Sequence, residues 1–379
     1  MTMKPKERVL AALSFREPDR IPIFIGPSNS TGVSMTAYNN IRRHVHLPEV
    51  DPTDPSNYLY GRPDLGTAQP DEAASLLFGT DVRSVLDREP PGSMRPGPGG
   101  VLLDSWGTNY MRYHPLADAQ TADDVSSYKG WPDVTDTSRM EGVRERAKKL
   151  SDEGEYAVMG VPWLLFPVER AFALQGMDVF LENLAGKPDV AKAVLRKNLE
   201  CCEALMERFL SECGEYLDII KIGDDLGTQT SLMMSPRMYR RIIKPIHSEF
   251  VQFIKRRTNA KVFFHTDGDV APLVDDFMEI GIDILNPIQT SAGKMADLPA
   301  LREKTRGRMT LCGAVDTHRI LPFGTPQEVE EEVHRVIKIL APGGGYMLGS
   351  VHTIMPDVPP ENVMAMVNAA KKYGTYPIN

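Results

Sequence analysis

Short apolar runs alternate with amphipathic stretches along most of this chain of 379 residues. The runs lie at 20–25, 156–161, 218–223, 261–265, 282–286, 309–315 and 345–351, and the longest stretches with helical spacing at 188–210, 236–256 and 326–340. Unbroken apolar strands separated by helices are typical of a parallel sheet covered on both faces. One further short strand would close the set into an eight-stranded barrel. We therefore predict an α/β fold, a (β/α)8 TIM barrel.

An open, doubly wound sheet is the alternative arrangement. Sheets of that kind that bind nucleotides carry a G-x-G-x-x-G turn between the first strand and its helix. The turn after 20–25 has no such pattern, and Gly343-Gly344-Gly345 precedes a strand, where a turn is more typical than a phosphate cradle. The closed barrel is therefore favoured.

The composition indicates one globular enzyme-sized unit. We predict a single domain over 1–379, in which 26–135 is an N-terminal cap or insertion, because this region is rich in Pro, Gly and Asp but keeps recurrent apolar residues. The net charge of −8 argues against a nucleic-acid partner, and no apolar run is long enough to span a membrane. The four cysteines lack C-x-x-C spacing, which indicates structural thiols and a cytoplasmic protein.

Polar side chains follow five consecutive candidate strands. They are Asp224 and Asp225, then His265, Asp267 and Asp269, then Asn286, then Asp316 and His318, and finally His352. In (β/α)8 barrels the chemistry sits at the carboxyl ends of the strands, so we expect these side chains to share one face. Asp269 and one of Asp224 and Asp225 are expected only to cap helices or form turns.

Two histidines and several carboxylates from different strands fit two kinds of site. Imidazole and carboxylate groups bind Zn²⁺, which keeps one position open in catalytic centres. The same groups act without a metal as general acid and base, with a carboxylate orienting an imidazole. The spacing alone leaves this choice open. The remaining histidines fall in predicted helices or loops and are assigned to the surface or to packing.

Several motifs resemble those of one superfamily. They are KERVLAALSFREPDRIPI near the start, LLFPVERAFALQGMDVFLENLAGKPDVAKAVL and SPRMYRRIIKPIHSEF in the middle, and HTDG, GAVD and VPPENVMAMV towards the end. Together they are similar to the uroporphyrinogen decarboxylase superfamily over nearly the whole chain. The resemblance implies a (β/α)8 barrel and two activities, tetrapyrrole decarboxylation and zinc-dependent methyl transfer to or from corrinoid proteins.

At the positions that characterise the two branches of that superfamily, this chain differs from both. The decarboxylase holds its polyanionic substrate with an arginine-bearing motif after the first strand, where this chain reads IGPSNSTGVSM. Asp81 in FGTDV matches the early acidic residue of the superfamily, and we assign it to substrate binding. The thiol-methylating branch uses a His-x-Cys pair and a distant Cys as zinc ligands. Here His265-Thr266-Asp267 matches the pair with aspartate for cysteine, and His352 falls near the distant position.

Imidazole and carboxylate ligands leave zinc a stronger Lewis acid than thiolates do. This favours a zinc-dependent methyltransferase that moves methyl from a small methoxylated donor, best an aryl methyl ether, onto a corrinoid protein. The cobalamin is expected on that partner protein. The reverse direction stays open. The alternatives are a metal-free decarboxylase or other lyase acting on a small carboxylic acid, and a binding protein without turnover.

We assign a role to each candidate residue from its position and from the resemblance. The metal ligands are His265, Asp267 and His352. The catalytic group is Asp225, Asp316 and Glu169, of which Asp225 completes the ligand shell or orients a histidine. Asn286 and Asp81 are expected to contact the substrate, and Trp163 and Phe166, with Trp106, to form an apolar wall, although such aromatic residues are more often core.

Overall fold

A curved parallel sheet forms the centre of the molecule, in a computed structural model that describes residues 2–90, 92–163 and 166–378. The strands are β1 (Val82–Val85), β2 (Arg95–Pro96), β3 (Leu102–Leu103), β4 (Ala157–Gly160), β5 (Ile219–Gly223), β6 (Lys261–His265), β7 (Ile284–Asn286), β8 (Thr310–Val315) and β9 (Tyr346–Ser350). Strands β2 and β3 pair as an antiparallel hairpin, and the other seven form one parallel sheet in chain order.

The segment 20–25 closes this sheet into a barrel. The N–H of Phe24 donates to the carbonyl of Leu348 in β9 at 2.7 Å, and the N–H of Asp81, next to β1, donates to the carbonyl of Ile23 at 2.9 Å. Pro22 has no N–H to donate, which keeps this pairing short. The eighth strand that the sequence required is β1, which lies inside the predicted cap region. The fold is a (β/α)8 barrel, as predicted.

Helices follow the strands around the barrel. Within the described residues the α-helices are Pro5–Leu13, Met35–His44, Glu72–Phe78, Ala122–Ser127, Val143–Glu153, Pro167–Gln175, Met177–Gly186, Pro188–Cys213, Pro236–Met238, Lys244–Lys255, Val274–Ile280, Leu298–Thr305, Ile320–Phe323, Pro326–Leu340 and Pro360–Tyr373. A π-helical turn at Tyr239–Ile243 joins two of them where Pro245 lacks an N–H. None of the described helices is long and apolar enough to cross a membrane.

The barrel interior is filled by one apolar layer. Each of the eight extended segments contributes a buried residue to a single cluster: Phe24, Val82, Met159, Ile219, Phe263, Ile284, Cys312 and Met347. The rings of Phe24 and Phe263 come from segments on different sides of the barrel and have centroids 5.4 Å apart. The barrel is therefore plugged, and any site lies above this layer. All four cysteines are buried free thiols, as predicted.

Candidate metal centre

Polar residues occupy the next inward-facing positions on three neighbouring strands. Side chains alternate between the two faces of a strand, so the residue two positions beyond each plug residue also points inward. Those residues are Lys221 on β5, His265 on β6 and Asn286 on β7, after Ile219, Phe263 and Ile284. They lie at the carboxyl ends of the strands, the face on which (β/α)8 barrels carry their chemistry.

Three side chains form a group that can hold a metal ion. The Nε2 atoms of His265 and His352 lie 3.8 Å and 3.7 Å from Oδ2 of Asp267. One donor atom from each residue falls within 4.8 Å of the other two. His265 ends β6, Asp267 follows in the next turn and His352 follows β9, so the barrel brings together the three residues predicted as metal ligands.

The turn that carries Asp267 is in backbone contact with the turn after β5. Gly268 has φ of +88°, and a Cβ there would lie 2.3 Å from the carbonyl carbon of Gly227. The N–H of Gly227 donates to the carbonyl of Asp267 at 3.1 Å. The N–H of Asp267 donates to Oδ1 of Asp225 at 2.9 Å. Two glycines and one aspartate therefore fix the position of Asp267.

The donor set fits zinc. Nδ1 of His265 lies 2.8 Å from Oδ1 of Asn286, which directs Nε2 towards Asp267. An oxygen partner on the outer nitrogen of this kind orients metal-binding histidines. Oδ1 of Asp267 is buried and has no hydrogen-bond partner among the described residues. Two imidazoles and one carboxylate are ligands that zinc accepts, with a fourth position left for water or substrate.

Desolvation disfavours charge on all three of these groups, of which His265 is buried and Asp267 and His352 are partly exposed. It raises the pKa of Asp267 to about 8, with a further contribution from Asp225. It lowers the pKa of His265 well below its usual value and that of His352 to about 4, and in both cases the nearby Lys221 ammonium adds to the effect. The histidines are therefore neutral and ready to coordinate at pH 7, and Asp267 must lose a proton to do so.

Two predicted site residues make hydrogen bonds inside the protein. Asn286 is fully buried, and its Oδ1 lies 2.8 Å from Nδ1 of His265, so its contact in the structure is with the imidazole. Asp316 accepts the N–H groups of His318, Arg319 and Ile320 at 3.1, 2.8 and 3.2 Å. It thus holds the backbone at the start of helix Ile320–Phe323, and its assignment as a catalytic group stays a prediction.

Glu169 and Asp225 form a partly buried acidic pair beside the metal group. Oε1 of Glu169 accepts the N–H of Asp225 at 3.3 Å. Burial raises the pKa of both carboxyls, that of Glu169 well above its usual value with a further contribution from Asp225. Two neighbouring buried carboxyls cannot both ionise readily, so the pair holds at least one proton near neutral pH.

Asp224 is the capping member of the Asp224-Asp225 pair. Its Oδ1 accepts the N–H groups of Val168 and Glu169 at 2.8 and 2.7 Å, which fixes the first turn of helix Pro167–Gln175. Its Oδ2 lies 2.9 Å from Nε2 of His247, also buried. Asp269 likewise accepts backbone N–H groups, those of Ala271 at 3.3 Å and Lys294 at 3.0 Å, as expected of a turn residue.

The three aromatic residues that were predicted to form one apolar wall lie in different places. The Phe166 ring lies near the site, with its centroid 5.0 Å from Nζ of Lys221. Trp163 packs instead on Tyr60 with centroids 4.6 Å apart, and its indole N–H donates to Glu89 at 3.1 Å. Trp106 is fully buried under Arg170. Only Phe166 of the three contacts a polar residue of the inward-facing layer.

Asp81 lies at the other end of the barrel. It precedes the first residue of β1, at the amino end of the sheet, and its carboxylate binds Arg8 at 2.6 Å and Arg20 at 2.8 Å. The same carboxylate accepts the N–H of Ile23 at 2.8 Å. Its contacts with Arg8 and Arg20 explain its burial, and they lie at the end of the barrel away from the metal group, so its assignment to substrate binding stays a prediction.

Lys221 was missed by sequence reasoning. It is 2% exposed, and its ammonium donates to Oδ1 of Asn29 at 2.9 Å. Asn29 follows the barrel-closing segment in the stretch PSNST. The signal in the sequence was a single charge within the apolar run IIKIG, at the alternate position that faces the barrel interior.

Two cavities lie beside the barrel-forming segments. The smaller, about 320 Å³, is lined by Asp267, His318, Val351, His352, Thr353 and Met355 among others. The larger, about 1060 Å³, lies between the barrel-closing segment and β1 and includes Tyr60, Arg62, Asp87 and Glu89. Burial raises the pKa of Asp87 to about 6, while Arg139 opposes that shift. The metal group borders the smaller cavity.

Comparisons with known proteins agree with this architecture. The chain is 24% identical over 242 residues to the uroporphyrinogen decarboxylases of Chlorobaculum tepidum and Chlorobium limicola, and each alignment covers 62% of this chain and 64% of the relative. A solved structure described as a methyltransferase from Methanosarcina mazei superposes with a TM-score of 0.64 at 19% identity, covering 98% of this chain and 99% of that one. That likeness shows the shared fold.

A family profile gives the assignment. The profile described as uroporphyrinogen decarboxylase (URO-D) matches residues 115–373, which is more than half of the chain and includes strands β4 to β9. This range holds the metal group and the Glu169–Asp225 pair, and it leaves Asp81 outside. The chain therefore belongs to the uroporphyrinogen decarboxylase family.

Proposed function

We propose that this protein is a zinc-dependent methyltransferase that moves a methyl group from a small methoxylated donor, best an aryl methyl ether, to the cobalt of a corrinoid protein. The observation that carries the proposal is the convergence of His265, Asp267 and His352 within 4.8 Å at the mouth of the barrel. The methyltransferase from Methanosarcina mazei, which shares this fold over nearly its whole length, supports it further.

His265, Asp267 and His352 would hold the zinc ion. Bound there, zinc supplies Lewis acidity to the heteroatom of the donor, which must leave with its bonding electrons when the methyl group is transferred. Asn286 keeps Nε2 of His265 directed at this position, and Asp225 holds the Asp267 backbone by accepting its N–H. The chain thus keeps the ligands in place before the donor arrives.

The Glu169 carboxyl is the proton donor in this proposal. Its Oε1 accepts the N–H of Asp225, which leaves Oε2 to carry the proton that burial stabilises. A leaving alkoxide or phenoxide is more basic than this carboxyl, so a proton passes from Oε2 to the leaving oxygen. The Lys221 ammonium opposes part of this effect, because its positive charge lowers the pKa of Glu169.

The cavity beside the metal group suits a small donor. Its volume of about 320 Å³ is at the lower end for small-molecule sites, and Val351 and Met355 give it apolar surface. His352 is 43% exposed at its side chain, so one metal ligand can be reached from outside. A corrinoid-bearing partner would approach from this open side.

The decarboxylase alternative receives less support. In that alternative Asp81 was the acidic residue to test next, but it lies at the amino end of β1 in an ion pair with Arg8 and Arg20. A carboxylate held by two guanidinium groups on the opposite face is not available to a substrate at the strand ends.

The experiment is metal analysis of the purified protein after incubation with Zn²⁺ and gel filtration. We expect about one zinc per chain in the wild type and in His318→Ala, and a loss of most of it in His265→Ala and His352→Ala. His318 is the matched control because it lines the same cavity but is outside the ligand group. Equal zinc in all four proteins, or none in the wild type, would contradict the proposed centre.

A second assay tests the reaction. Wild-type protein is mixed with a reduced corrinoid protein and methoxybenzenes, and methylation of the cobalt is followed by absorbance. We expect methylation that depends on zinc and is lost in His265→Ala. Full activity in the presence of a strong chelator would instead indicate a metal-free reaction.

A further inference from the structure

Gln289 is a buried amide that borders the smaller cavity beside the metal group. It follows the end of strand β7 and is 3% exposed. The cavity that Asp267 and His352 line is also lined by Gln289. Buried polar side chains normally have all their polar groups paired, so a buried amide that still reaches a cavity is a candidate for contact with the occupant of that cavity.

The orientation of this amide is fixed by one backbone hydrogen bond. The N–H of Gly268 donates to Oε1 of Gln289 at 2.6 Å. A backbone N–H can only donate, so the atom that receives it is the amide oxygen, and the NH₂ group takes the other branch of the side chain. Gly268 follows Asp267 directly, so the oxygen end of the amide supports the turn that carries a metal ligand.

The NH₂ end of the amide has no partner within the described part of the chain. Oε1 is the one side-chain atom of Gln289 that bonds to a described residue, and Nε2 does not belong to the buried polar atoms that lack a partner. Nε2 is therefore accessible, and the space accessible to Gln289 is the smaller cavity. It offers N–H donors to the same space that Asp267 and His352 border.

The other groups around this cavity favour a neutral oxygen acceptor. None of the described residues that line it is Lys or Arg, so an anionic group would meet no ammonium or guanidinium there. Val351 and Met355 give the cavity apolar surface for the rest of a small molecule. An ether oxygen accepts hydrogen bonds and has no hydrogen to donate, which makes it complementary to an amide NH₂ group.

We propose that Gln289 is a substrate-binding residue whose Nε2 donates a hydrogen bond to the ether oxygen of the methyl donor. This inference rests on the proposed function and adds a residue to the same site. An ether oxygen has two lone pairs, so it can accept this bond and still face the metal group. When the methyl group passes to the corrinoid, the C–O bonding electrons stay on that oxygen, and the hydrogen bond strengthens as the negative charge develops.

The variant Gln289→Glu separates the two ends of the amide. The carboxylate keeps an oxygen for the N–H of Gly268 but presents an oxygen in place of NH₂ to the cavity, so it repels an ether oxygen. The probes are 4-fluoroanisole and 1-ethyl-4-fluorobenzene, in which a CH₂ group replaces the ether oxygen. Each is titrated against the intact chain with a chelator present and followed by fluorine NMR at pH 9, well above the usual pKa of a carboxyl.

We expect the wild type to bind the ether about fivefold more tightly than the hydrocarbon, the factor that one net hydrogen bond provides. This preference should vanish in Gln289→Glu and in Gln289→Met, which has no donor. The matched control is Gln327→Glu, the same change on the surface of helix Pro326–Leu340, where Nε2 donates to Glu331 at 3.0 Å. It should keep the wild-type preference.

Equal binding of the two probes by the wild type, or a preference that survives in Gln289→Glu and Gln289→Met, would overturn the proposal. So would the absence of saturable ether binding. Thermal unfolding shows whether each variant is folded. The assigned side-chain amide signal of Gln289 in the labelled wild type gives a second reading: it should shift as the ether is added, and an unmoved signal would also overturn the proposal.

These measurements use neither zinc nor a corrinoid protein. A failed methyl-transfer assay together with an intact ether preference would therefore contradict the proposed function and leave the binding role of Gln289 standing. Active methyl transfer without an ether preference would contradict the role of Gln289 alone.

Discussion

Replacing Lys221 by methionine should stabilise the metal-free protein. Burial lowers the pKa of Lys221 from 10.5 to about 8, so the folded state binds this proton less tightly than the unfolded chain does. One pKa unit corresponds to about 1.4 kcal/mol, and the ionised lysine therefore costs about 3 kcal/mol below pH 8. Methionine fills similar space without a charge. We expect the free energy of unfolding at pH 7 to rise by about 2 kcal/mol, after a deduction for the lost bond to Asn29.

The pH dependence has a defined sign. The cost is fully present below the folded pKa of about 8 and disappears as the pH approaches 10.5, where the lysine is neutral in both states. The advantage of the methionine variant should therefore shrink between pH 7 and pH 10. Urea unfolding of chelator-treated protein, followed by circular dichroism at both pH values, measures this difference directly.

Lys148→Met is the control for this measurement. Lys148 is exposed and pairs with Asp152 on the surface of its helix, so its removal should change the free energy of unfolding by less than about 0.5 kcal/mol at either pH. If Lys221→Met is no more stable than the wild type at pH 7, the buried ammonium carries no electrostatic cost. The reasoning about an unpaired charge would then be wrong.

Three further outcomes are expected. Asn286→Leu removes the oxygen that orients His265 and should weaken zinc binding about tenfold to a hundredfold in competition with a chromogenic chelator, whereas an unchanged affinity would contradict that role. Zinc affinity should rise up to tenfold per pH unit from pH 6 to 8 and then level off, because Asp267 has a pKa of about 8; a flat profile in the same competition assay would count against this. Asp224→Ala should lower the free energy of unfolding by about 3 kcal/mol, measured in urea, because His247 and two N–H groups lose their acceptor.

The barrel was predictable because its strands are apolar and regularly spaced. Strand β1 was missed because VRSV reads as polar, yet all four of its residues are buried. Arg83 lies 3.6 Å over the ring of Tyr156 and donates to Glu72 at 2.7 Å, so its charge is satisfied on the outside of the barrel. Such compensation depends on residues distant in sequence, and no local pattern reveals it.

The convergence of the metal group was predictable for the same reason. Parallel strands bring their carboxyl ends to one face, so His265, Asp267 and His352 had to lie near one another. The hydrogen-bond partners of the strand-end residues were not predictable. Asp316 and Asn286 are polar residues at strand ends like the others, and only the structure shows that one binds three backbone N–H groups and the other binds an imidazole. Residue type and spacing select candidates, whereas hydrogen bonds assign their roles.

The contact between Gly227 and Gly268 sets how closely the turn that carries Asp267 approaches the turn after β5. Even one methyl group at Gly268 would meet the carbonyl carbon of Gly227 at 2.3 Å, so the turns would have to separate. That separation would carry Asp267 away from both histidines while every ligand stayed chemically intact. The spacing of these two loops therefore governs where Asp267 lies relative to His265 and His352, although neither glycine belongs to the group that can hold a metal.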